Sequence, residues 1–440
     1  MPLPSSSAAA ATLPSTSINL PSPVLAKTSR FLIDALYIEL ENLGLPVVKV
    51  NKDIQRHYEG VFMASAAPED IFKVVYRSRV AHNVLGLIGC DGRCSRDRNT
   101  LYRWVKNDIP LKDVIPSFMP ESSFWVKLSD GDYSSIGGMR DAEVQRAVRH
   151  GIQSYFRNNY PYTIPTPIRD NPNFMFYVTP PYLSTLGDTA ATDNVECSGG
   201  GGGVGLWVDY AHCDGIQSSR QSTSPPSPNS REDKRYPGKH IRSSVAAATL
   251  CGARYVPGRD VLVDPYCCED GGAILIEARQ WAQRCDPGVY SFPRTVSKPK
   301  AFPGSIELWD TLVQESASRQ LGDDNSGRVF GACADPIGRA RARRSLPGGI
   351  VSAATLMEYI PPESPTLIIT RTPQRTWSSP NEASLWIHNI IDWASSYRPL
   401  PRIFILHGPG QPLNNDDGNV KEILYLGHYG SLYKLKMTKK

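Results

Sequence analysis

The sequence predicts an α/β protein whose second half forms a doubly wound, mostly parallel sheet and whose first half forms smaller α+β modules. From residue 237 onward, strand-like apolar runs alternate with helix-like stretches, which is the pattern of parallel strands joined by crossover helices. Before residue 188, helices and strands alternate in shorter units. Residues 188–236 are rich in Gly, Pro and Ser and carry one strand-like run, "LWVDYAHCDG", so they are typical of a linker or loop insertion.

Length and composition are those of a soluble protein with several domains. The chain has 440 residues, of which 40% are hydrophobic and 21% charged, and its formal net charge is +5. No apolar run approaches the roughly 18 residues that a membrane span needs, so no membrane partner is expected. Nine scattered cysteines without a secretory signal indicate free thiols rather than a disulfide framework. No metal site is predicted.

Residues 1–28 form a leader that contains no acid and one lysine and is rich in Ser, Ala and Pro. Acid-poor, Ser-rich leaders are typical of organellar import sequences, so the sequence favours a mitochondrial or plastid protein. The alternative is a disordered N-terminal tail of a cytoplasmic protein.

The first half predicts two modules, residues 29–62 and residues 63–187. "SRFLIDALYIELENLG" predicts a helix that Gly44 ends, and "PVVKVN" after it predicts a strand. "PEDIFKVVYRSRVAHNVLGLIG" predicts a second helix, with a proline and two acids in its first turn. "SSFWVKLS" predicts a later strand.

A basic helix is predicted from about residue 140. At 100° per residue, apolar side chains share one face and basic side chains lie on the other. The apolar residues are Val144, Val148, Ile152 and Tyr155, and the basic ones are Arg146, Arg149, His150 and Arg157. Four basic groups on one exposed face can neutralise several phosphates, so they are candidate RNA-binding residues. The alternative is a solvated surface that happens to be basic.

The second half, residues 237–440, predicts alternating helices and strands and a final antiparallel pair. The helices are "SSVAAATLCGA", "GGAILIEARQWAQR" and "NEASLWIHNIIDWASSY". The strands are "DVLVDP", "GRVFGACADP", "TLIITRT" and "PRIFILHG", followed by the pair "EILYLG" and "GSLYKLKM".

With these elements in order, the chain resembles the THUMP-domain methyltransferases of ribosomal RNA (rRNA) that act on the exocyclic amine of guanine. The resemblance rests on "ALYIELENLG" and "VVYRSR" in the first half, and on "LVDPYC…AILIEA", "FGACADP", "LIITRTP" and "LYLGHYGSLYKLK" in the second. It implies a ferredoxin-like piece (29–62), a THUMP RNA-binding region (63–187) and a Rossmann-like domain (237–440). It also implies the cofactor S-adenosylmethionine (SAM), an rRNA partner, and ribosomal or methyltransferase proteins as further partners.

The predicted cofactor loop departs from the family. Asp264 and Cys267 match the family pattern, but "CEDGGA" follows where a shorter Gly-x-Gly loop is expected. Glycine allows the backbone to approach a cofactor and to adopt left-handed angles, and here Gly271 and Gly272 come late. Asp335 matches the acid that holds the ribose hydroxyls, with capping of the next helix as its alternative role.

The predicted catalytic loop departs further. The family carries Asn-Pro-Pro-aromatic, in which the Asn accepts a hydrogen bond from the target amine and the ring stacks on the flipped base. Here the loop reads Arg371, Thr372, Pro373 and Gln374. Arginine has no acceptor, its charge opposes a sulfonium cation, and glutamine offers no ring. His407 at the end of "RIFILH" is interpreted as structural.

One cause, relaxed catalysis, explains both departures. The sequence therefore predicts an RNA-binding protein of this family that is catalytically impaired, has lost SAM binding, and acts on rRNA or in its assembly. One alternative is an active SAM-dependent rRNA methyltransferase. Another is a protein-interaction subunit without direct RNA contact.

Overall fold

A computed structural model describes most of the chain outside the leader and the linker. The described residues are 24–50, 52–64, 67–91, 97–116, 118–129, 139–160, 162–170, 172–179, 204–210, 241, 243–267, 272–287, 305–321, 328–334, 336, 339–340, 343, 349–351, 356–372, 380–408, 420–426 and 430–436. They contain two seven-stranded sheets. No helix among them is long and apolar enough to cross a membrane.

The first sheet mixes parallel and antiparallel strands. Its strands are β1 (Val24–Lys27), β2 (Gly60–Met63), β3 (Asn83–Asp91), β4 (Ser123–Leu128), β5 (Thr166–Pro167), β6 (Phe174–Thr179) and β7 (Val204–Asp209). The order is β2-β1-β3-β7-β6-β4-β5, and only β4 pairs in parallel, with β5 and with β6. β1 consists of residues assigned to the leader, and β7 lies inside the segment interpreted as a linker.

The helices of this half are α1 (Ile33–Asn42), α2 (Lys52–Tyr58), α3 (Pro68–Arg77), α4 (Arg98–Asn107), α5 (Leu111–Val114) and α6 (Asp141–Asn159). The predicted stop at Gly44 is confirmed, because its φ is +70°. The predicted helix over residues 68–89 is wrong beyond Arg77. Residues 83–91 pair with strands on both sides as β3, and glycines in this run weaken any helix. The predicted strand "PVVKVN" is reduced to one bridge, between Val47 and Met63.

The second sheet has the predicted doubly wound form. Its strands are β8 (Leu262–Asp264), β9 (Val329–Ala332), β10 (Ile350–Val351), β11 (Leu367–Arg371), β12 (Arg402–His407), β13 (Val420–Tyr425) and β14 (Ser431–Leu435). The order is β10-β9-β8-β11-β12-β14-β13. The five strands β10, β9, β8, β11 and β12 are parallel to one another. β14 is antiparallel to both of its neighbours, so the predicted final antiparallel pair is confirmed.

The helices of this half are α7 (Ser243–Gly252), α8 (Ala273–Ala282), α9 (Ser305–Arg319) and α10 (Pro380–Ser395). Side chains of one strand alternate between the two faces of the sheet. Leu367 and Ile369 join the core that contains α7 and α8, whereas Ile368 joins the core that contains α10. Helices therefore cover both faces, and the larger core continues into the first half of the chain.

A junction joins the two halves, and we define it by Glu39, Arg77, Arg79 and Glu277. The buried carboxylate of Glu39 accepts hydrogen bonds from Ser78 Oγ (2.5 Å) and from the backbone N–H groups of Arg79 (2.6 Å) and Val80 (3.2 Å). These bonds hold the extended turn that follows α3. Burial raises the pKa of Glu39, although the same hydrogen bonds act to lower it.

The two arginines of the junction reach into the second half. Arg79 Nη1 lies 2.5 Å from Glu277 Oε1 on α8, and Arg79 Nη2 donates to the backbone carbonyl of Cys285. Arg77 Nη2 lies 2.6 Å from Glu315 Oε2 on α9. The "YRSR" run that supported the family resemblance thus contributes ion pairs and hydrogen bonds between the halves.

The prediction of free thiols holds for the described cysteines Cys90, Cys251, Cys267 and Cys285. It is wrong for Cys333, which is disulfide-bonded. Pairing depends on proximity in space, which sequence spacing does not give.

Candidate functional site

The carboxyl ends of β8, β11 and β12 form one edge of the second sheet, and we call it the carboxyl edge. Asp264 ends β8, Arg371 ends β11 and His407 ends β12. Arg371 pairs with Leu406, the residue before His407. Because open α/β sheets bind ligands outside the carboxyl ends of their strands, this edge is the candidate cofactor and catalytic site. The described residues show no cluster that could hold a metal ion.

Both described ends of the predicted cofactor loop are tied to the sheet. Asp264 is fully buried, and its Oδ1 accepts a hydrogen bond of 3.0 Å from the Tyr266 N–H. Cys267 donates to the Ala332 carbonyl on β9 from its N–H (3.1 Å) and from its Sγ (3.2 Å). Gly272 donates to the Cys267 carbonyl (2.7 Å) and starts α8.

Gly272 meets the expectation that glycine is needed in this loop. Its φ of +77° and ψ of 11° are left-handed, a conformation that costs other residues more. The other predicted cofactor-binding residues, Gly271 and Asp335, lie outside the described residues, as does the run from Cys268 to Asp270.

At the predicted catalytic loop, Arg371 and Thr372 are buried, with 4% and 3% of their surface exposed. The Thr372 N–H donates to the Leu406 carbonyl (3.0 Å). Thr372 Oγ1 lies 3.2 Å from His407 Nδ1 and accepts from the Gly408 N–H at 3.4 Å. The polar atoms of Thr372 are therefore engaged with β12 and the residue after it. Pro373 and Gln374 lie outside the described residues.

Arg371 gives the carboxyl edge a fixed positive charge in a buried position. A guanidinium has five donors and no acceptor, and it stays protonated at every physiological pH. It cannot accept a hydrogen bond from an amine, and it repels a second cation more strongly inside a protein than in water.

His407 is embedded in the sheet, which agrees with its interpretation as structural. Its ring lies beside Tyr433, with 6.3 Å between the centroids, and it bonds to Thr372. Gly430 crosses directly over it, because a Cβ at this position would lie 1.6 Å from the His407 carbonyl oxygen. The φ of Gly430, +100°, also requires glycine.

The basic helix is confirmed as α6, and three of its four predicted RNA-binding residues are exposed. Val144, Val148 and Ile152 are fully buried, as the periodicity predicts. Arg146, His150 and Arg157 lie on the solvent side. Arg149 differs from the prediction, because it is half-buried and its guanidinium lies 4.7 Å from the centroid of the Trp125 ring on β4. An aromatic residue on a neighbouring strand draws this side chain away from the others.

Sequence reasoning missed one member of the basic surface, Arg98, which comes from α4. α4 packs beside α6, and an open cavity of about 430 Å³ between them is lined by Arg98, Asn99, Tyr102, His150, Gln153 and Arg157, among others. We define Arg98, Arg146, His150 and Arg157 as the basic face. Burial lowers the pKa of His150, and the charges of Arg98, Arg149, Arg146 and Arg157 lower it further.

A detectable signal for α4 was present in the sequence. Asp97 caps the helix by accepting from the N–H groups of Asn99 (2.7 Å) and Thr100 (2.9 Å). Leu101, Trp104 and Val105 then follow at helical spacing and are buried.

Solved structures of three other proteins match nearly the whole chain. SMU.472, a methyltransferase by assignment that was crystallised with S-adenosylhomocysteine (SAH), matches at a TM-score of 0.65 and 15% identity, over 95% of this chain and 98% of its own. A predicted N6-adenine-specific DNA methylase from Listeria monocytogenes matches at 0.65 and 17%, over 94% and 96%. A possible methylase from Clostridium difficile matches at 0.59 and 16%, over 95% and 98%. No protein-family model matches the chain, and no curated protein sequence does.

At 15–17% identity these likenesses concern the fold. They agree with the strand order β10-β9-β8-β11-β12-β14-β13 and with the helices on both faces of that sheet. They also span both halves of the chain, so the first sheet belongs to the shared architecture. The chain has the Rossmann-like fold of SAM-dependent methyltransferases.

Proposed function

We propose that this chain is an RNA-binding protein of the THUMP-domain rRNA methyltransferase type that no longer transfers methyl groups and acts on rRNA or in its assembly. The observation that carries the proposal is the buried guanidinium of Arg371 at the end of β11. The family resemblance expects an asparagine at this position, which would accept a hydrogen bond from the target amine.

The contacts of the carboxyl edge support the loss of transfer. An amine must present its lone pair to the methyl group, so the protein has to accept the hydrogen bonds of that amine. Arg371 offers only donors. Thr372 Oγ1 does have lone pairs, but it lies against His407 and the Gly408 N–H instead of facing an open site.

The backbone of the described part of the cofactor site fits the adenosyl cofactors. Asp264, Cys267 and Gly272 form a tight strand-to-helix connection with a left-handed glycine at the helix start, where such cofactors bind. SAM, when bound, supplies a methyl group on a positively charged sulfur.

The basic face supports RNA as the partner. It lies on α4 and α6, within the region that the resemblance identifies as THUMP, and it combines three arginines with a histidine beside an open cavity. Clustered cations of this kind contact phosphates. The rRNA target, the organellar location and the ribosomal or methyltransferase partner proteins follow from the resemblance and the leader.

A second candidate function is an active SAM-dependent rRNA methyltransferase. The intact strand order and the left-handed Gly272 favour it, since both belong to a working cofactor fold. A protein-interaction subunit without RNA contact has less support, because the basic face is open to solvent.

Calorimetry with SAM and SAH, combined with a methyl-transfer assay on rRNA, tests the proposal. We expect no methyl transfer to rRNA by the wild type, whatever its affinity for SAM and SAH. The control Asp335→Ala removes the predicted ribose acid and should weaken both ligands equally. Transfer of methyl groups to rRNA by the wild type, abolished in Asp335→Ala, would establish the active enzyme instead.

A further inference from the structure

A second basic cavity lies away from the basic face, where the first half of the chain meets β13. Its volume is about 330 Å³, and its walls include Arg30, Asp34, Lys52, Arg56 and Tyr425. Arg30, Lys52 and Arg56 are exposed, and Asp34 is the one acidic residue among the described residues that line the cavity. These described lining residues therefore carry a net positive charge, which favours an anionic ligand.

Tyr425 provides an aromatic ring in the same cavity. Its side chain is 62% exposed, so the ring is accessible to a ligand. The partly buried Phe31 and the buried Ile33 add an apolar wall. Cations together with an accessible ring are the two components with which proteins bind single-stranded nucleic acids, since phosphates contact the cations and bases stack on the ring.

The strand register places Tyr425 on the carboxyl edge. Tyr425 pairs with Ser431 on β14, and Ser431 pairs with His407 on β12. Arg371 pairs with Leu406, one residue before His407. At about 4.8 Å between neighbouring strands, Tyr425 lies on the order of 15 Å from the end of β11, along the same row. That span equals a few nucleotides of extended single strand.

We infer that the cavity between Arg30, Lys52, Arg56 and Tyr425 is a binding site for a single-stranded RNA segment, with a base stacked on Tyr425 and phosphates held by Arg30 and Lys52. The inference rests on the proposed RNA binding and specifies a second point of contact. Single-stranded RNA is favoured over a duplex, because the bases of a duplex are already stacked on each other and cannot offer a face to Tyr425. The site directs such a segment along the carboxyl edge.

Fluorescence anisotropy with two RNAs tests the inference in the full chain. One RNA is a hairpin with a single-stranded tail that contains 2-aminopurine, and the other is the hairpin alone. We expect Tyr425→Ala to weaken binding of the tailed RNA by roughly 5- to 100-fold and to leave the bare hairpin unchanged. Tyr425→Phe keeps the ring and should stay within about threefold of the wild type.

The fluorescence of 2-aminopurine gives a readout that a merely structural role would not change. Stacking on Tyr425 quenches it, so the wild type and Tyr425→Phe should quench the probe and Tyr425→Ala should not. The double variant Arg30→Ala/Lys52→Ala should retain quenching at saturation but require more protein to reach it.

The outcomes separate the inference from the function on which it rests. If substitutions on the basic face weaken RNA binding while Tyr425→Ala binds and quenches like the wild type, the second site is wrong and the proposed function stands. If the wild type binds neither RNA, both proposals fail.

Discussion

Arginines serve opposite purposes in the junction and on the basic face. In the junction, Arg79 is almost buried and contacts the carboxylate of Glu277, the Cys285 carbonyl and the Trp281 ring. On the basic face, Arg98, Arg146 and Arg157 are exposed and make no salt bridge with any of the described residues. The presence of a carboxylate partner, more than burial, distinguishes an arginine that stabilises the fold, such as Arg79, from the arginines of the basic face, which can bind an anion.

Arg149 and Arg371 belong neither to the junction nor to the basic face. Arg149 stacks on Trp125, and burial together with the charge of Arg146 lowers its pKa. Arg371 is buried at the carboxyl edge, where the family resemblance expects a neutral acceptor. Residue type alone therefore does not assign an arginine to structure, RNA binding or an altered active site. The surroundings of each guanidinium make the assignment.

The largest expected effect comes from removing Arg79. Arg79→Ala removes the cation beside the buried carboxylate of Glu277, and breaking a buried ion pair in this way costs about 3–5 kcal/mol. Urea unfolding should show this loss in the free energy of unfolding. Arg328→Ala is the matched control, because Arg328 pairs with Glu363, both side chains are exposed, and the loss should be less than about 1 kcal/mol. Equal losses of unfolding free energy in the two variants would contradict the distinction between arginines of the junction and exposed arginines.

A smaller effect is expected from the basic face, and it should appear in binding rather than in stability. Arg146→Ala/Arg157→Ala removes two of its cations, so the slope of log affinity against log salt should become shallower by roughly two units. The urea midpoint should stay within error of the wild type. Arg328→Ala is the control, since Arg328 is similarly exposed but pairs with Glu363 in the second half. If this control weakened RNA binding as much as the double variant, binding would reflect overall charge only.

The second sheet was largely predictable because its local signals agree. The apolar run that ends at Asp264 and the helix that follows Gly272 are both confirmed. The insertion of β14 between β12 and β13 follows from no local pattern. The run "NVLGLIG" was misassigned, since a short apolar run fits a buried strand and a helix equally well. β1 was missed because its four residues follow a leader-like composition.

The candidate sites were predictable only in part, because a site depends on elements that are distant in sequence. The spacing of Arg146, His150 and Arg157 along one helix is local, and their exposure is confirmed. Arg98 joins them through the packing of α4 against α6, and the Arg149–Trp125 contact depends on a neighbouring strand. Neither feature is encoded in a single stretch of the chain.

The smallest expected effect concerns His150 on the basic face. Burial and the positive charges of Arg98, Arg149, Arg146 and Arg157 lower its pKa from the usual 6.5, so the imidazole is neutral at pH 7.5 in the free protein. Bound phosphates favour the charged form and raise this pKa again. RNA binding therefore takes up a proton, and RNA affinity should rise as the pH falls from 7.5 to 5.5.

In His150→Gln, titrated by anisotropy at constant ionic strength, most of this rise should vanish while the affinity at pH 7.5 changes little. A full rise in the variant would mean that another group takes up the proton and that His150 does not contact phosphate.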